Sequence, residues 1–114
     1  MPFINVKTNR EVTKEQKEIV KQKLGKAIEL IPGKSEEWLM VAIDDNISLY
    51  FKGKTDKPVA FVEVKIFGTT TDEAYQLTTA QITRVLNEEM SVAPDQIFVA
   101  YTEIAHWGWN GNNF

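Results

Sequence analysis

The two halves of this 114-residue chain repeat one pattern of residues at an offset of 58 positions. Phe3–Lys7 aligns with Phe61–Lys65, and both segments are rich in residues that favour strands. Thr13 aligns with Thr71, and the apolar positions of the helix and strand that follow keep the same register. Chance does not supply a shared register across half a chain, so the sequence predicts two copies of one folding unit.

Each half is predicted to be a β-α-β unit, because its apolar pattern changes from strand to helix and back to strand. The predicted elements of the first half are Phe3–Lys7, a helix from Thr13 to Ile31, and Trp38–Ile43. Those of the second half are Val59–Phe67, Thr71–Met90 and Ile97–Ile104. We also expect a short strand at Ile47–Phe51, which would form a hairpin with the strand before it across Asp44-Asp45-Asn46.

The first predicted helix has signals for its start, its buried face and its end. Thr13 followed by Gln16 is typical of a capping box, and Pro32-Gly33 is typical of a helix stop. Between these signals, apolar residues at helical spacing predict the face that packs on the sheet: Ile19, Val20, Leu24, Ala27, Ile28 and Ile31.

Two such units predict an α+β fold in a single domain spanning 1–114, with the repeat divided into 1–58 and 59–114. Because a helical crossover joins parallel strands, we expect a four-stranded mixed sheet with both helices on one face, plus short extra strands. The other face of the sheet has no cover, whereas Trp38–Ile43 and Ala60–Phe67 are too apolar for one wetted face. We therefore predict a homo-oligomer.

The composition removes several kinds of chemistry. The chain has no cysteine and one histidine, His106, which excludes disulfides, thiolate nucleophiles and thiolate metal sites and argues against a histidine metal site. We expect no metal, no cofactor, and a structural or surface role for His106. The net charge of −3 argues against nucleic acid as a partner. Without a long apolar segment or a signal peptide, we expect no membrane partner either.

The remaining candidates for reactive groups are carboxylates, lysines, hydroxyls and the chain terminus. Neighbouring carboxylates at Glu36-Glu37 and Glu88-Glu89 diverge from each other, which favours solvated faces over a catalytic pair. The small residue Pro2 permits removal of Met1, which would expose a secondary amine. Such an amine is a competent general base when burial and a nearby cation, for example Lys34, lower its pKa.

Four motifs, in their order along the chain, resemble the macrophage migration inhibitory factor family of the tautomerase superfamily. They are Met1-Pro2-Phe3-Ile4, Pro32-Gly33-Lys34, Pro94-Asp95-Gln96-Ile97 and Trp107-Gly108-Trp109-Asn110. The resemblance runs nearly from end to end. It implies a homotrimer that catalyses keto–enol tautomerisation of a small α-keto acid such as phenylpyruvate, as an intramolecular oxidoreductase without a cofactor.

The resemblance also implies a role for each matching residue. Pro2 would be the catalytic base, and Lys34 would hold the substrate carboxylate. The other substrate-binding residues that it implies are the backbone of Phe67 and the side chains of Phe98, Trp107, Trp109 and Phe114. At Phe98 and Ala100 the chain departs from the tyrosine and asparagine that are common in the family, so the predicted pocket is more apolar.

Two other functions stay open on the sequence alone. One is a secreted, cytokine-like signalling or host-modulating protein that binds a receptor and in which catalysis is vestigial. The other is a ferredoxin-like assembly without catalysis, which the changes at Phe98 and Ala100 favour. The expected location is the cytoplasm, and the alternative is secretion without a signal peptide.

Overall fold

The computed structural model describes residues 1–114, which form four long strands, two helices and a C-terminal hairpin. The main elements are β1 (Pro2–Thr8), α1 (Lys14–Ala27), β2 (Met40–Asp44), β3 (Ala60–Phe67), α2 (Asp72–Met90) and β4 (Ile97–Ile104). The hairpin strands are β5 (Gly108–Trp109) and β6 (Asn112–Asn113). Single 3₁₀ turns lie at Ile28–Leu30, Glu36–Trp38 and Pro94–Gln96. Neither helix has the length and apolar character that a membrane crossing needs.

The two repeat units meet at an antiparallel pair in the middle of the sheet. The strand order is β2-β1-β3-β4, in which β1 runs parallel to β2, β3 parallel to β4, and β1 antiparallel to β3. Asn5 pairs with Glu63, its own equivalent at the offset of 58. The contact between the two units is therefore symmetric, because equivalent residues lie opposite each other. The predicted four-stranded mixed sheet is confirmed.

Both helices pack on one face of this sheet, as predicted. The buried residues of α1, α2 and the two central strands form a single apolar cluster. Its fully buried members include Ile4, Val6, Val20, Leu24, Ile28, Val62, Ile66, Ile82 and Leu86. On the helix surface, Lys23 forms an ion pair of 2.7 Å with Glu89 and joins α1 to α2.

The predicted helix starts are confirmed. Thr13 caps α1 by accepting a hydrogen bond from the Gln16 N–H, and the Gln16 side chain accepts one from the Thr13 N–H, which completes the capping box. Thr71 caps α2 in the same position of the repeat. The helix ends differ, because α2 continues to Met90 while α1 gives way to a 3₁₀ turn after Ala27.

Three local predictions are wrong. The strand predicted at Trp38–Ile43 begins only at Met40, because Glu36–Trp38 forms a 3₁₀ turn. Ile19 is 41% exposed, since it lies beside the stripe that the other apolar residues of α1 form. The hairpin predicted for Ile47–Phe51 does not exist.

Residues 46 and 47 follow the end of β1 instead of folding back on β2. Asn46 adopts a left-handed backbone, with φ of 55°, and its N–H donates to the Arg10 carbonyl. The Ile47 N–H donates to the Thr8 carbonyl. Phe51 forms only an isolated bridge with Lys54, so the outer edge of β2 has no partner in the chain.

The face of the sheet away from the helices is polar in its centre. In β3 the residues that point to the helices are buried, and those on the other face are half-buried: Phe61, Glu63, Lys65 and Phe67. Lys7 forms ion pairs there with Asp44 at 3.3 Å and Glu63 at 3.7 Å. The premise that β3 is apolar on both faces is therefore wrong. The homo-oligomer stays a prediction, now supported by aromatic residues at the two ends of this face.

The capping box at Thr13 predicts a measurable share of the stability. Replacing Thr13 by Ala removes a cap and should lower the free energy of unfolding by about 1 kcal/mol. The matched control is Lys14→Ala, because Lys14 is exposed and forms no ion pair. Urea denaturation of both variants checks the prediction, and equal midpoints would contradict it.

Candidate active site

The backbone of Phe67 holds the start of the chain at one end of the sheet. Pro2 is the first residue of β1, is buried, and lies opposite Ile66. The next residue of β3, Phe67, donates its N–H to the Met1 carbonyl at 3.0 Å. The chain start is therefore fixed beside the carboxyl end of β3, which gives a terminal amine a defined place.

The side chain of Lys34, in the segment between α1 and β2, contacts the same residue, Phe67. Gly33 before it has φ of 82°, a left-handed conformation that glycine adopts without steric cost, and this turn follows the buried Ile31. The Lys34 Nζ then donates to the Phe67 carbonyl at 2.8 Å. Phe67 thus contacts both the chain start, through its N–H, and the Lys34 ammonium, through its carbonyl.

This environment disfavours the protonated form of an amine. Burial lowers the pKa of the Met1 α-amine below its usual value, and the charge of Lys34 and a hydrogen bond with Lys34 lower the pKa further. Both causes are the ones that turn a terminal amine into a base near neutral pH. The sequence predicted this cation and this burial for Pro2, the next residue.

The C-terminal hairpin brings aromatic rings to this end of the sheet. Its two-residue turn is Asn110-Gly111, and both residues have positive φ, 53° and 81°, as a type I′ turn requires. Phe114 packs on Phe67 with ring centroids 5.5 Å apart, and Trp109 stacks on Phe114 at 6.4 Å. The structure thus brings four predicted site residues and the chain start together: Pro2, Lys34, Phe67, Trp109 and Phe114.

Sequence reasoning missed Trp38. Its ring meets that of Trp109 edge to face, at 5.2 Å and 89°, and it is 43% exposed. We assigned Trp38 to a strand, where its side chain would have been part of the sheet. Its position four residues after Lys34, directly behind the polar Ser35-Glu36-Glu37, is the signal that could have identified it.

Of the two other predicted residues, Trp107 adjoins this group through its backbone, since the Phe114 N–H donates to the Trp107 carbonyl at 3.0 Å, whereas Phe98 lies apart from it. Trp107 has no aromatic partner and lines a shallow cavity next to the group, on the sheet face away from the helices. Phe98 pairs with Phe61 in the sheet, whereas Pro2 pairs with Ile66. That difference of five strand residues is about 17 Å at 3.3 Å per residue, so Phe98 lies far from Pro2 of the same chain.

Phe98 instead belongs to an apolar pocket at the far end of the sheet. Its ring lies 5.2 Å from that of Phe51, edge to face, and 6.2 Å from that of Phe61. The pocket holds about 210 Å³, and Leu49, Tyr50 and Val59 also line it. Phe98 is 54% exposed, so one side of this pocket remains open.

A sequence model of the macrophage migration inhibitory factor (MIF) family matches residues 1–114. The chain belongs to the MIF family. A search among curated proteins finds no significant match. The recognition that the four sequence motifs suggested is therefore confirmed, and it covers the whole chain.

Solved structures show the MIF fold with close agreement in shape. MIF2 of Leishmania major is 27% identical, with a TM-score of 0.92 over 100% of this chain and 97% of that chain. A MIF homologue from Prochlorococcus marinus is 24% identical, with a TM-score of 0.87 over 98% of each chain. Pt0534, solved after inactivation by 2-oxo-3-pentynoate, is 14% identical, with a TM-score of 0.85 over 96% of this chain and 93% of that chain.

Membership of the MIF family and the shared tautomerase-superfamily fold support a tautomerase or a cytokine-like role for the chain. Which of these roles applies, and on which substrate, depends on the site rather than the fold. The site combines a low-pKa amine, one ammonium group and a wall of aromatic rings.

Replacing Lys34 should change the amine in a known direction. In Lys34→Gln the positive charge beside the α-amine is lost, so the pKa of that amine should rise toward its usual value, while burial keeps part of the depression. The rate of acylation of the amine as a function of pH measures this pKa. The control is Lys52→Gln, an exposed lysine in a distant loop; an equal effect of both variants would contradict the assignment.

Proposed function

We propose that the protein is a cofactor-free keto–enol tautomerase of phenylpyruvate-like α-keto acids. The observation that carries the proposal is the Met1 α-amine, which is partly buried beside Lys34 and has a lowered pKa. After removal of Met1, the secondary amine of Pro2 becomes the chain terminus, one residue further along and at the start of β1. A neutral amine in a partly apolar site can accept and return a proton near neutral pH.

The proposed reaction moves one proton between oxygen and carbon. In the direction of the ketone, the nitrogen of Pro2 takes the proton of the enol hydroxyl and delivers a proton to the neighbouring carbon, as the double bond shifts to C=O. The nitrogen ends the cycle neutral, as it began. The single amine therefore acts first as base and then as acid, and no second titrating residue is needed.

Lys34 has the role of anchoring the substrate. Its ammonium already points at the Phe67 carbonyl, 2.8 Å away, so it is held in place before a ligand arrives. A carboxylate that joins this pair gains a charge-assisted hydrogen bond. The same positive charge stabilises the negative charge that develops on the enolate oxygen.

The aromatic rings of Trp38, Trp109 and Phe114 offer a surface on which the apolar part of such a substrate can pack. Trp38, Trp109 and Phe114 are each 43% to 55% exposed, although they contact one another, and exposed rings of this size favour binding a ring or chain over contact with water. Pt0534, which shares the fold, is inactivated by 2-oxo-3-pentynoate, itself an α-keto acid. The α-keto acid class is consistent with both observations.

Loss of the Pro2 amine tests the mechanism. In Pro2→Gly a primary amine replaces the secondary amine, and kcat for phenylpyruvate should fall at least 10-fold. Loss of a general base typically costs about 10²- to 10⁴-fold, but this variant keeps a terminal amine. Mass spectrometry of the native protein should show the chain without Met1. The control is Lys14→Gln, because Lys14 is an exposed lysine of α1 that forms no ion pair. Pro2→Gly with undiminished turnover would contradict the role of Pro2.

We further propose that the working unit is a homotrimer in which Phe98 serves the Pro2 site of a neighbouring copy. Within one chain the two residues are about 17 Å apart, so a contribution of Phe98 to that site requires a second chain. The open apolar pocket around Phe98 and the unpaired edges of β2 and β4 are surfaces that another copy can cover. The trimer number rests on the family.

A mixing experiment separates shared sites from sites within one chain. Pro2→Gly and Phe98→Ala should each be impaired, but refolding them together should create sites with Pro2 from one chain and Phe98 from the other. We expect the mixture to be several-fold more active than the mean of the two variants. Analytical ultracentrifugation gives the number of copies. An active, unimpaired Phe98→Ala variant, or a mixture with only the mean activity, would exclude sharing of Phe98.

A further inference from the structure

We propose that Lys65 and the cavity around it bind a second anionic group of the substrate, so that the preferred substrates are α-keto acids with two carboxylates. The inference rests on the proposed function, because it adds a second anchor to the Pro2 site. Its central residue, Lys65, belongs neither to the four sequence motifs nor to the group of aromatic rings.

The cavity lies on the sheet face away from the helices, directly beside the chain start. It holds about 310 Å³ and is open, which suits part of a small molecule. Phe3, Lys65, Ile104, His106, Trp107 and Gly108 line it. Phe3 follows Pro2 in the chain and pairs with Lys65 across the sheet, so the cavity begins one residue from the proposed base.

Lys65 is the cation in this cavity that has no partner. It is half-buried, yet it forms no hydrogen bond and no ion pair. Lys7, on the same face of the sheet, is neutralised by Asp44 at 3.3 Å and Glu63 at 3.7 Å. An ammonium group without a counter-charge attracts an anion more strongly than one already paired, because its charge is not compensated.

The two ammonium groups are placed to hold two anions of one molecule. Lys65 and Phe67 lie on the same face of β3, two residues apart, which is about 7 Å along the strand. Lys34 donates to the carbonyl of Phe67, the last residue of β3. Its ammonium therefore lies at the end of this strand, and Lys65 lies two residues before the end. A rigid acid with carboxylates at its two ends spans such a separation.

The walls of the cavity indicate the body of the ligand. Phe3 and Trp107 offer ring faces, and Trp107 is half-buried without an aromatic partner. His106 is exposed at the rim, where its N–H can donate to an anion. An aromatic ring that carries one carboxylate matches this combination, because the ring packs on Trp107 while the carboxylate meets Lys65.

A binding experiment with two probes tests the inference without any turnover. Phenylacetate and 4-carboxyphenylacetate differ by one carboxylate, and calorimetric titration of the full chain gives the affinity for each. We expect the dianion to bind at least 10-fold more tightly, as a charge-assisted hydrogen bond provides. In Lys65→Gln that preference should fall to within about 2-fold, and in Lys65→Arg most of it should return.

Lys7→Gln is the matched control, since it removes the same charge from the same face but from a paired lysine. Lys7→Gln should keep the preference for the dianion. If Lys7→Gln reduces that preference as much as Lys65→Gln does, the effect comes from the total positive charge of the sheet face, and the role of Lys65 is overturned. Equal affinities of the two probes in the unmodified protein would also overturn it, as would the absence of binding by both.

Turnover distinguishes this inference from the proposed function. With phenylpyruvate, Lys65→Gln should leave kcat and KM within about 2-fold, whereas with 4-carboxyphenylpyruvate it should raise KM about 10-fold at constant kcat. If phenylpyruvate is not converted at all, the proposed function fails, and the binding titration still decides the role of Lys65. If Lys65→Gln raises KM equally for both substrates, the second anchor is wrong, but the proposed tautomerase function is not affected.

Discussion

The antiparallel pairing of β1 with β3 is the constraint on which the rest of the structure depends. It joins the two repeat units through seven paired positions, from Pro2 opposite Ile66 to Thr8 opposite Ala60. Because side chains alternate along paired strands, one register decides both the buried face and the open face. A slip of β1 by one residue would turn Ile4 and Val6 away from the helices and remove them from the apolar cluster.

The same pairing places the reactive end of the chain. Since Pro2 opens β1 and lies opposite the last residues of β3, the terminal amine meets the Phe67 backbone and Lys34. The chain offers little other chemistry: it has no cysteine and one histidine. The terminal amine is the exception, because partial burial and the charge of Lys34 lower its pKa.

Two separate groups of aromatic residues lie at the two ends of the sheet face that points away from the helices. At the end with Pro2, the C-terminal hairpin brings Trp109 and Phe114 over Phe67. At the other end, Phe98 packs with Phe51 and Phe61 and stays half open. Between them lie the ion pairs of Lys7 and the unpaired Lys65. A face of this kind serves ligand binding and assembly better than a uniformly apolar one, which would only aggregate.

The sequence by itself determined the repeat, the helix caps, the four main strands and the family, because periodicity, capping and ordered motifs are local and survive without coordinates. It also predicted Pro2, Lys34, Phe67, Trp109 and Phe114 as site residues, and the structure brings these five together. Only the tertiary structure decided that Trp38 joins them and that Phe98 does not in the same chain. The physical reason is that such contacts depend on strand register and on how a loop returns to the sheet, which no short sequence window encodes.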